Sequence, residues 1–264
     1  MVKKRFNVVS IYSGAGGLDI GFSKENFNTV YATDYWKPAC DTLEKNKIAK
    51  VVECKDIRKI DFKEVLKNTG IQEVDVVMGG PPCPSFSKSR FYLKNKKRAL
   101  EDSEGSYIIK EFFRCIEELN PKVFLFENVH GFIFKPHIDA FNYLKKRSKE
   151  LGYEITYKVI NTANYGVPQI RERFICVGVK KGLSKFVFPE ETHHNCEKTK
   201  GKSLYDKKPW VTCGEIIGDL DIDFPEDINM QAGSKHKDLL KLVPPGENYL
   251  FFTGVIHGLS RRLA

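Results

Sequence analysis

Along the first 180 residues, short apolar runs alternate with segments whose apolar residues recur at helical spacing. Phe6–Tyr12, Thr29–Thr33, Val51–Cys54, Val74–Met78 and Val123–Phe126 read as strands. Between them, Gly17–Glu25, Lys37–Lys47, Phe62–Asn68 and Gly105–Leu119 read as helices. In the last of these, Ile108, Ile109, Phe112, Phe113 and Ile116 fall near one face. A helix over His137–Leu151 and strands over Tyr153–Ile160 and Phe174–Val179 complete the series. Such alternation predicts an α/β fold with a doubly wound, mostly parallel sheet. Residues 181–264 show little periodicity, apart from one short helix expected over Gly214–Leu220. The organisation expected is therefore a domain over residues 1–180, followed by a different region over 181–264.

Composition narrows the partners. The chain has 264 residues, a net charge of +9 and a sequence pI near 9.0. That balance favours a polyanion, nucleic acid first. Lysines outnumber arginines 33 to 10, so a solvated Lys-rich surface is the plain alternative. No apolar run approaches the roughly 20 residues of a membrane span. The start, Met1 to Arg5, leads into a strand rather than a signal-peptide core. Seven cysteines without a Cys-x-x-Cys pair argue against a disulfide framework. A reducing cytoplasm is the expected location.

Ligands on a doubly wound sheet bind beyond the carboxyl ends of its strands. The unusual residues of this chain fall there. Ser13, Gly14, Ala15, Gly16, Gly17 and Leu18 follow the first strand, where small residues admit a ligand to the backbone. Asp19 stands where a dinucleotide fingerprint requires its third glycine, which disfavours a nicotinamide enzyme. Asp34 closes the second strand, where an acid can take ribose hydroxyls. Tyr35 and Trp36 follow it and can stack on a purine. Asp56 closes the third strand and can accept from an adenine amino group. The fourth strand runs into Gly79, Gly80, Pro81, Pro82, Cys83 and Pro84. Glycines offer unusual backbone angles and prolines stiffen the chain, which makes a ledge for one thiol. Cys83 is a candidate nucleophile.

Glu127 ends the apolar fifth strand, where partial desolvation should raise its pKa and suit it to donate a proton. Arg171 and Arg173 sit two apart before the last strand and would share a face in extended chain. They suit a carbonyl, a carboxylate or a phosphate. A loop carrying Lys88, Arg90, Lys94, Lys96, Lys97 and Arg98 reads as a basic lid. The run His193, His194, Asn195, Cys196 lacks a second ligand pair, so no metal is expected.

Taken in order, Tyr12–Leu18, Pro81-Pro82-Cys83, Glu127-Asn128-Val129 and Gln169 with Arg171 and Arg173 resemble the DNA (cytosine-5)-methyltransferase family. The likeness covers about residues 6–180. It implies a Rossmann-like methyltransferase fold that binds S-adenosylmethionine. By the resemblance, the turn from Tyr12 would take the amino-acid end of that cofactor. Asp34 would hold its ribose, Tyr35 would pack on its adenine, and Asp56 with Ile57 would contact the adenine edge, with Pro82 beside them. Cys83 would attack a flipped cytosine of duplex DNA, with Glu127 and Arg171 at the base and Arg173 in support. Ser87 and the basic loop would meet DNA. Pro84 and Glu104 depart from the family pattern, which usually has Gln or Asn and Arg there. The family's later motifs, including an Asn-bearing terminal helix, have no counterpart here. The resemblance therefore implies the larger piece of a split or truncated restriction-modification enzyme that works with a second polypeptide. An RNA cytosine-5 methyltransferase and a catalytically silent DNA-binding subunit are the competing readings.

Overall fold

A computed structural model describes residues 5–82, 99–101, 103–196 and 206–220. Its sheet strands are β1 (Phe6–Ile11), β2 (Phe27–Asp34), β3 (Val51–Cys54), β4 (Val76–Gly79), β5 (Val123–Val129), β6 (Tyr153–Asn161) and β7 (Glu172–Lys180). The helices are α1 (Gly17–Ser23), α2 (Lys37–Lys45), α3 (Phe62–Thr69), α4 (Ser103–Leu119) and α5 (Ile138–Glu150). The strands form one sheet in the order β3-β2-β1-β4-β5-β7-β6. Neighbours from β3 to β5 pair in parallel, while β7 runs antiparallel between β5 and β6. The expected doubly wound, mostly parallel sheet is what forms.

Strand alternation divides the core. Val9, Ile11, Val77, Phe124 and Phe126 turn to one face, under α3, α4 and α5. Their neighbours Val8, Val76 and Met78 turn to the other, with Leu18, Phe22 and Leu125 packed against them. The first face is built on aromatic rings. Phe126 lies edge-on to Phe112, with centroids 5.1 Å apart, and Phe132 stacks on Phe174 at 5.2 Å. Each such fully buried ring stabilises the fold by about 2–3 kcal/mol. At Gly178 an added Cβ would fall 2.0 Å from the Phe124 ring, so glycine there makes room for the neighbouring strand's side chain. Local signals set the helix ends. Asp61 caps α3 by accepting from the Lys63 and Glu64 amides at 2.8 and 3.3 Å. Gly70 closes it at a φ of +70°.

The change in composition at residue 181 coincides with the end of β7, but the packing continues. The described residues up to Cys213 belong to one compact unit. Within it, the Trp210 indole donates to Asn164 Oδ1 at 2.9 Å, and Tyr165 donates to the Pro189 carbonyl at 3.2 Å. A two-residue parallel pair, β8 (His193–His194) with β9 (Lys208–Pro209), was not legible in the sequence. The helix expected over Gly214–Leu220 divides into α6 (Cys213–Ile217) and a 3-10 turn over Gly218–Leu220. Among the described residues, no helix is long and apolar enough to cross a membrane.

Candidate active site

The rim beyond β1, β2 and β3 is organised by the turn after β1. Tyr12, Gly14 and Gly16 adopt φ values of +54°, +54° and +89°. A Cβ on Gly16 would also approach Leu43 Cδ2 to 2.9 Å, so both angle and space require glycine there. The Ser13 amide donates to the Thr33 carbonyl at 3.1 Å, and the Gly14 amide donates to Asp34 Oδ2 at 2.9 Å. Asp34 Oδ1 accepts from the Trp36 amide at 2.9 Å. The acid expected to meet ribose thus also ties the turn to the end of β2.

Beneath the turn runs a buried polar chain. Ser13 Oγ donates to Ser10 Oγ at 2.8 Å, and Ser10 Oγ donates to Asp19 Oδ2 at 3.1 Å. Thr29 Oγ1 donates to Asp19 Oδ1 at 3.2 Å. Burial raises the pKa of Asp19, with the Ser10 and Thr29 hydroxyls opposing it. In the sequence this residue was only the break in a glycine spacing. In the fold it anchors the turn.

A cavity of about 280 Å³ opens beside this rim, close to the lower end of ligand-pocket sizes. Six expected residues line it: Tyr12, Asp34, Tyr35, Asp56, Ile57 and Pro82. Ser13, Gly14, Ala15 and Gly16 do not line it, and Gly17 and Leu18 face a separate apolar groove with Phe22 and Val76. Trp36, expected as a stacking partner, is 60% exposed and is absent from the lining. Arg58, Tyr107 and Ile108 also line the cavity, though the sequence did not single them out for this. Tyr12 donates to the Ile108 carbonyl at 2.9 Å, and burial raises its pKa, so it stands as a neutral phenol. Asp56 follows the end of β3 and caps a 3-10 turn over Ile57–Lys59. Hydrogen bonding to the Arg58 guanidinium holds its carboxyl at a pKa of about 2.

The rim beyond β4 and β5 is built differently. Neither Gly79 nor Gly80 has a left-handed φ, which corrects the expectation of unusual backbone angles. Space is the reason instead. A Cβ on Gly79 would meet the Ile11 carbonyl oxygen at 2.7 Å, and one on Gly80 would meet Glu127 Oε2 at 3.0 Å. The next carbonyl, of Pro81, accepts from buried Asn128 Nδ2 at 3.2 Å. Asn128 Oδ1 takes the Val129 amide at 2.9 Å. The end of β5 therefore holds the start of the proline ledge. Cys83, Pro84, Ser87, Lys88, Arg90, Lys94, Lys96, Lys97 and Arg98 lie outside the described residues.

Glu127 pairs with Arg173, whose Nε lies 2.9 Å from Oε1. The contact follows from register. Glu127 opposes Ile175 across the antiparallel β5–β7 pair, and Arg173 is the same-face residue two positions before it. Burial raises the Glu127 pKa, while the charges of Arg173 and Arg171 pull it down. Arg171 is exposed, and its backbone is pinned to the end of β6. Its amide donates to Asn161 Oδ1 at 3.2 Å, and its carbonyl accepts from the Thr162 amide at 3.0 Å.

One strand order and one rim thus hold a cavity of about 280 Å³, a carboxyl whose pKa burial raises, with an arginine partner, and a ledge that in sequence leads into a cysteine. The family model for C-5 cytosine-specific DNA methylases matches residues 6–242. The chain belongs to that family.

Its relatives include the Type II methyltransferase M.SacI of Streptomyces achromogenes, 35% identical over 260 residues. That match takes in 93% of this chain and 65% of M.SacI. The Type II methyltransferase M.AquIA of Picosynechococcus is 36% identical over 225 residues, covering 81% of this chain and 88% of M.AquIA. A prophage-encoded DNA modification methyltransferase of E. coli superposes with a TM-score of 0.61 at 21% identity, over 84% of this chain and 56% of that one. At that identity the superposition speaks for the fold alone. This methylase chain thus spans a little under two thirds of M.SacI and most of M.AquIA. Asp19, Arg58, Tyr107 and Asn128 are the site residues that sequence reasoning passed over. Only the Asn of Glu127-Asn128-Val129 had a signal there, as part of a family motif.

Proposed function

We propose that this chain methylates C5 of a cytosine flipped out of duplex DNA, through a covalent adduct on Cys83. The observation that carries the reading is the Glu127–Arg173 pair at the foot of the Gly79–Gly80 ledge, with Glu127 pushed toward its protonated form. The cavity suits S-adenosylmethionine by the groups that line it. Asp34 and Asp56 offer acceptors, Tyr35 offers a ring, and Ile57 and Pro82 offer apolar walls. Bound there, the cofactor supplies an electrophilic methyl on a sulfonium sulfur.

The residues of the chain do the rest. The target base leaves the stack because its edge is otherwise covered by the duplex. The Cys83 thiolate forms a bond to C6, and the electron pair displaced from the ring moves toward N3. Glu127 donates a proton to N3, and the Arg171 guanidinium donates to O2. The ring becomes enamine-like, so C5 is the nucleophile. After methylation a base takes the C5 proton, the C5–C6 double bond reforms as the C6–sulfur bond breaks and the thiolate leaves, and N3 returns its proton to Glu127. Splitting one inaccessible step into several feasible ones is what covalent catalysis does. Lys88, Arg90, Lys94, Lys96, Lys97 and Arg98, with Ser87, would meet the DNA backbone.

The test uses labelled methyl donor with duplex DNA, with tRNA, and with a duplex carrying 5-fluorocytosine. Methyl transfer to DNA and a trapped adduct that maps to Cys83 are expected. Transfer to tRNA alone would assign the substrate to RNA, and a fluorinated duplex that never becomes covalently bound would reject the mechanism. The same assay addresses the expected second polypeptide, since full site-specific methylation by the chain alone would remove that requirement.

A further inference from the structure

The ends of β2 and β3 and the first turn of α2 bring two thiols against residues that line the cavity. The Asp34 carbonyl accepts from Cys40 Sγ at 3.3 Å and from the Lys55 amide at 3.0 Å. The next carbonyl, of Tyr35, accepts from Cys54 Sγ at 3.8 Å. Register and helix direction explain the meeting. Asp34 and Cys54 are partners across the parallel β2–β3 pair. The first turn of α2 follows at once, and there the Cys40 amide donates to the Trp36 carbonyl at 3.2 Å. The two thiols are hydrogen-bonded to each other.

Their surroundings differ. Cys40 is fully buried, while Cys54 is exposed. Burial, and then the Cys54 thiol beside it, pushes the Cys40 pKa up to about 12, so Cys40 keeps its proton at neutral pH. Solutes therefore reach Cys54 first. A buried thiol on its own is inert. A sulfenic acid with a thiol in contact condenses to a disulfide. Asp34 and Tyr35 both line the cavity, and the Asp34 carboxylate also holds the Gly14 amide. Closing a bond between the sulfurs draws them inside their contact distance and turns both away from the two carbonyls. The displacement falls on the stretch from Asp34 to Trp36, which joins β2 to α2.

We propose that Cys54 and Cys40 form a modification site, a peroxide-sensitive dithiol whose oxidation to a disulfide weakens cofactor binding. The Cys54 sulfur attacks one peroxide oxygen, the O–O bond breaks, and the hydroxide released takes the Cys54 proton as water. The Cys40 sulfur then displaces the sulfenic hydroxyl, which leaves with the Cys40 proton as a second water. The two thiols lose two electrons and the peroxide gains them. A dithiol reductant reverses the step by exchange. The effect on binding rests on the reading of the cavity as the S-adenosylmethionine site.

The test treats the 264-residue chain with hydrogen peroxide, maps its peptides by mass and titrates it calorimetrically with S-adenosylhomocysteine. A linked pair of peptides carrying Cys40 and Cys54, lighter by two hydrogens, is expected. Affinity should fall about tenfold, the scale of coupling between linked sites, and dithiothreitol should restore it. Cys54→Ser changes an exposed position and should bind at the level of the reduced chain with or without peroxide. An equal loss in Cys54→Ser would place the effect on other sulfurs and overturn the proposal. So would a chain that binds but never forms the linkage, or a linkage that leaves affinity unchanged. A reduced chain that binds no S-adenosylhomocysteine would overturn the cofactor reading itself, and this proposal with it.

Discussion

Asp56, beyond β3, and Glu127, in β5, stand on the same rim of one sheet, and each has an arginine against it. Their side chains keep similar exposure, 29% and 23%. Their protons nevertheless move in opposite directions. The Asp56 pKa falls to about 2, and that of Glu127 rises. The number of donors and the depth of surrounding protein account for the difference. Asp56 takes a backbone amide and two guanidinium nitrogens from Arg58. Among the described residues, Glu127 receives one guanidinium nitrogen, from Arg173, and sits where more protein displaces water. Desolvation then outweighs the attraction of Arg173 and Arg171. A nearby arginine does not by itself fix the charge of a carboxyl. The first rim is thereby suited to hold a fixed charge for recognition, and the second to give up a proton.

The sharpest way to separate the two rims is Cys83→Ser. Turnover should fall by about a thousandfold or more, as for loss of a covalent nucleophile, while S-adenosylhomocysteine affinity stays at the native level. Comparable turnover in the variant would reject Cys83 as the attacking group. Next, Glu127→Gln should cost about a hundredfold in methylation rate, again with cofactor affinity retained. An equal fall in cofactor affinity would show that the two rims do not work independently.

The pH response should split in the same way. Glu127 keeps its proton to a higher pH than an ordinary carboxyl, so its donor form is present at low pH and lost as pH rises through its raised pKa. The rate of the covalent step should fall along that alkaline limb, and Glu127→Gln should flatten it. Asp56 stays ionised as pH drops through the ordinary carboxylate range and protonates only near a pKa of about 2. Adenosyl binding should therefore hold to pH 4, below which other carboxyls titrate. A binding loss that follows an unshifted aspartate would undo the contrast. The smallest effect belongs to Gly80→Ala. Its Cβ would press on Glu127 Oε2 at 3.0 Å, and a shifted carboxyl should cost about tenfold or less in rate. Gly79→Ala should act through stability instead, by about 1–3 kcal/mol in thermal or denaturant unfolding, since its Cβ meets backbone at 2.7 Å.

The pattern of apolar runs located β1 to β7 and α1 to α5 within a few residues, because strand and helix periods are local properties of the chain. The placement of Asp34 at a strand end, Asp56 just beyond one and Glu127 near the end of another was legible for the same reason. The antiparallel insertion of β7 between β5 and β6 was not. It depends on which edge accepts the strand, and it brings Arg173 onto the face that carries Glu127. The glycines after β4 invited a reading from backbone angles, and the fold replaced it with a reading from crowding.

The sequence by itself determined the alternation of elements, the basic balance of charge and the succession of motifs along the rim. Each of these is written in residue type and local spacing. Only the tertiary structure showed that Asp56 and Glu127 shift in opposite directions, that Arg173 sits 2.9 Å from Glu127, and that Arg58 and Tyr107 line the cavity. Those outcomes follow from desolvation and from contacts between residues distant in the chain. Local spacing carries no record of either.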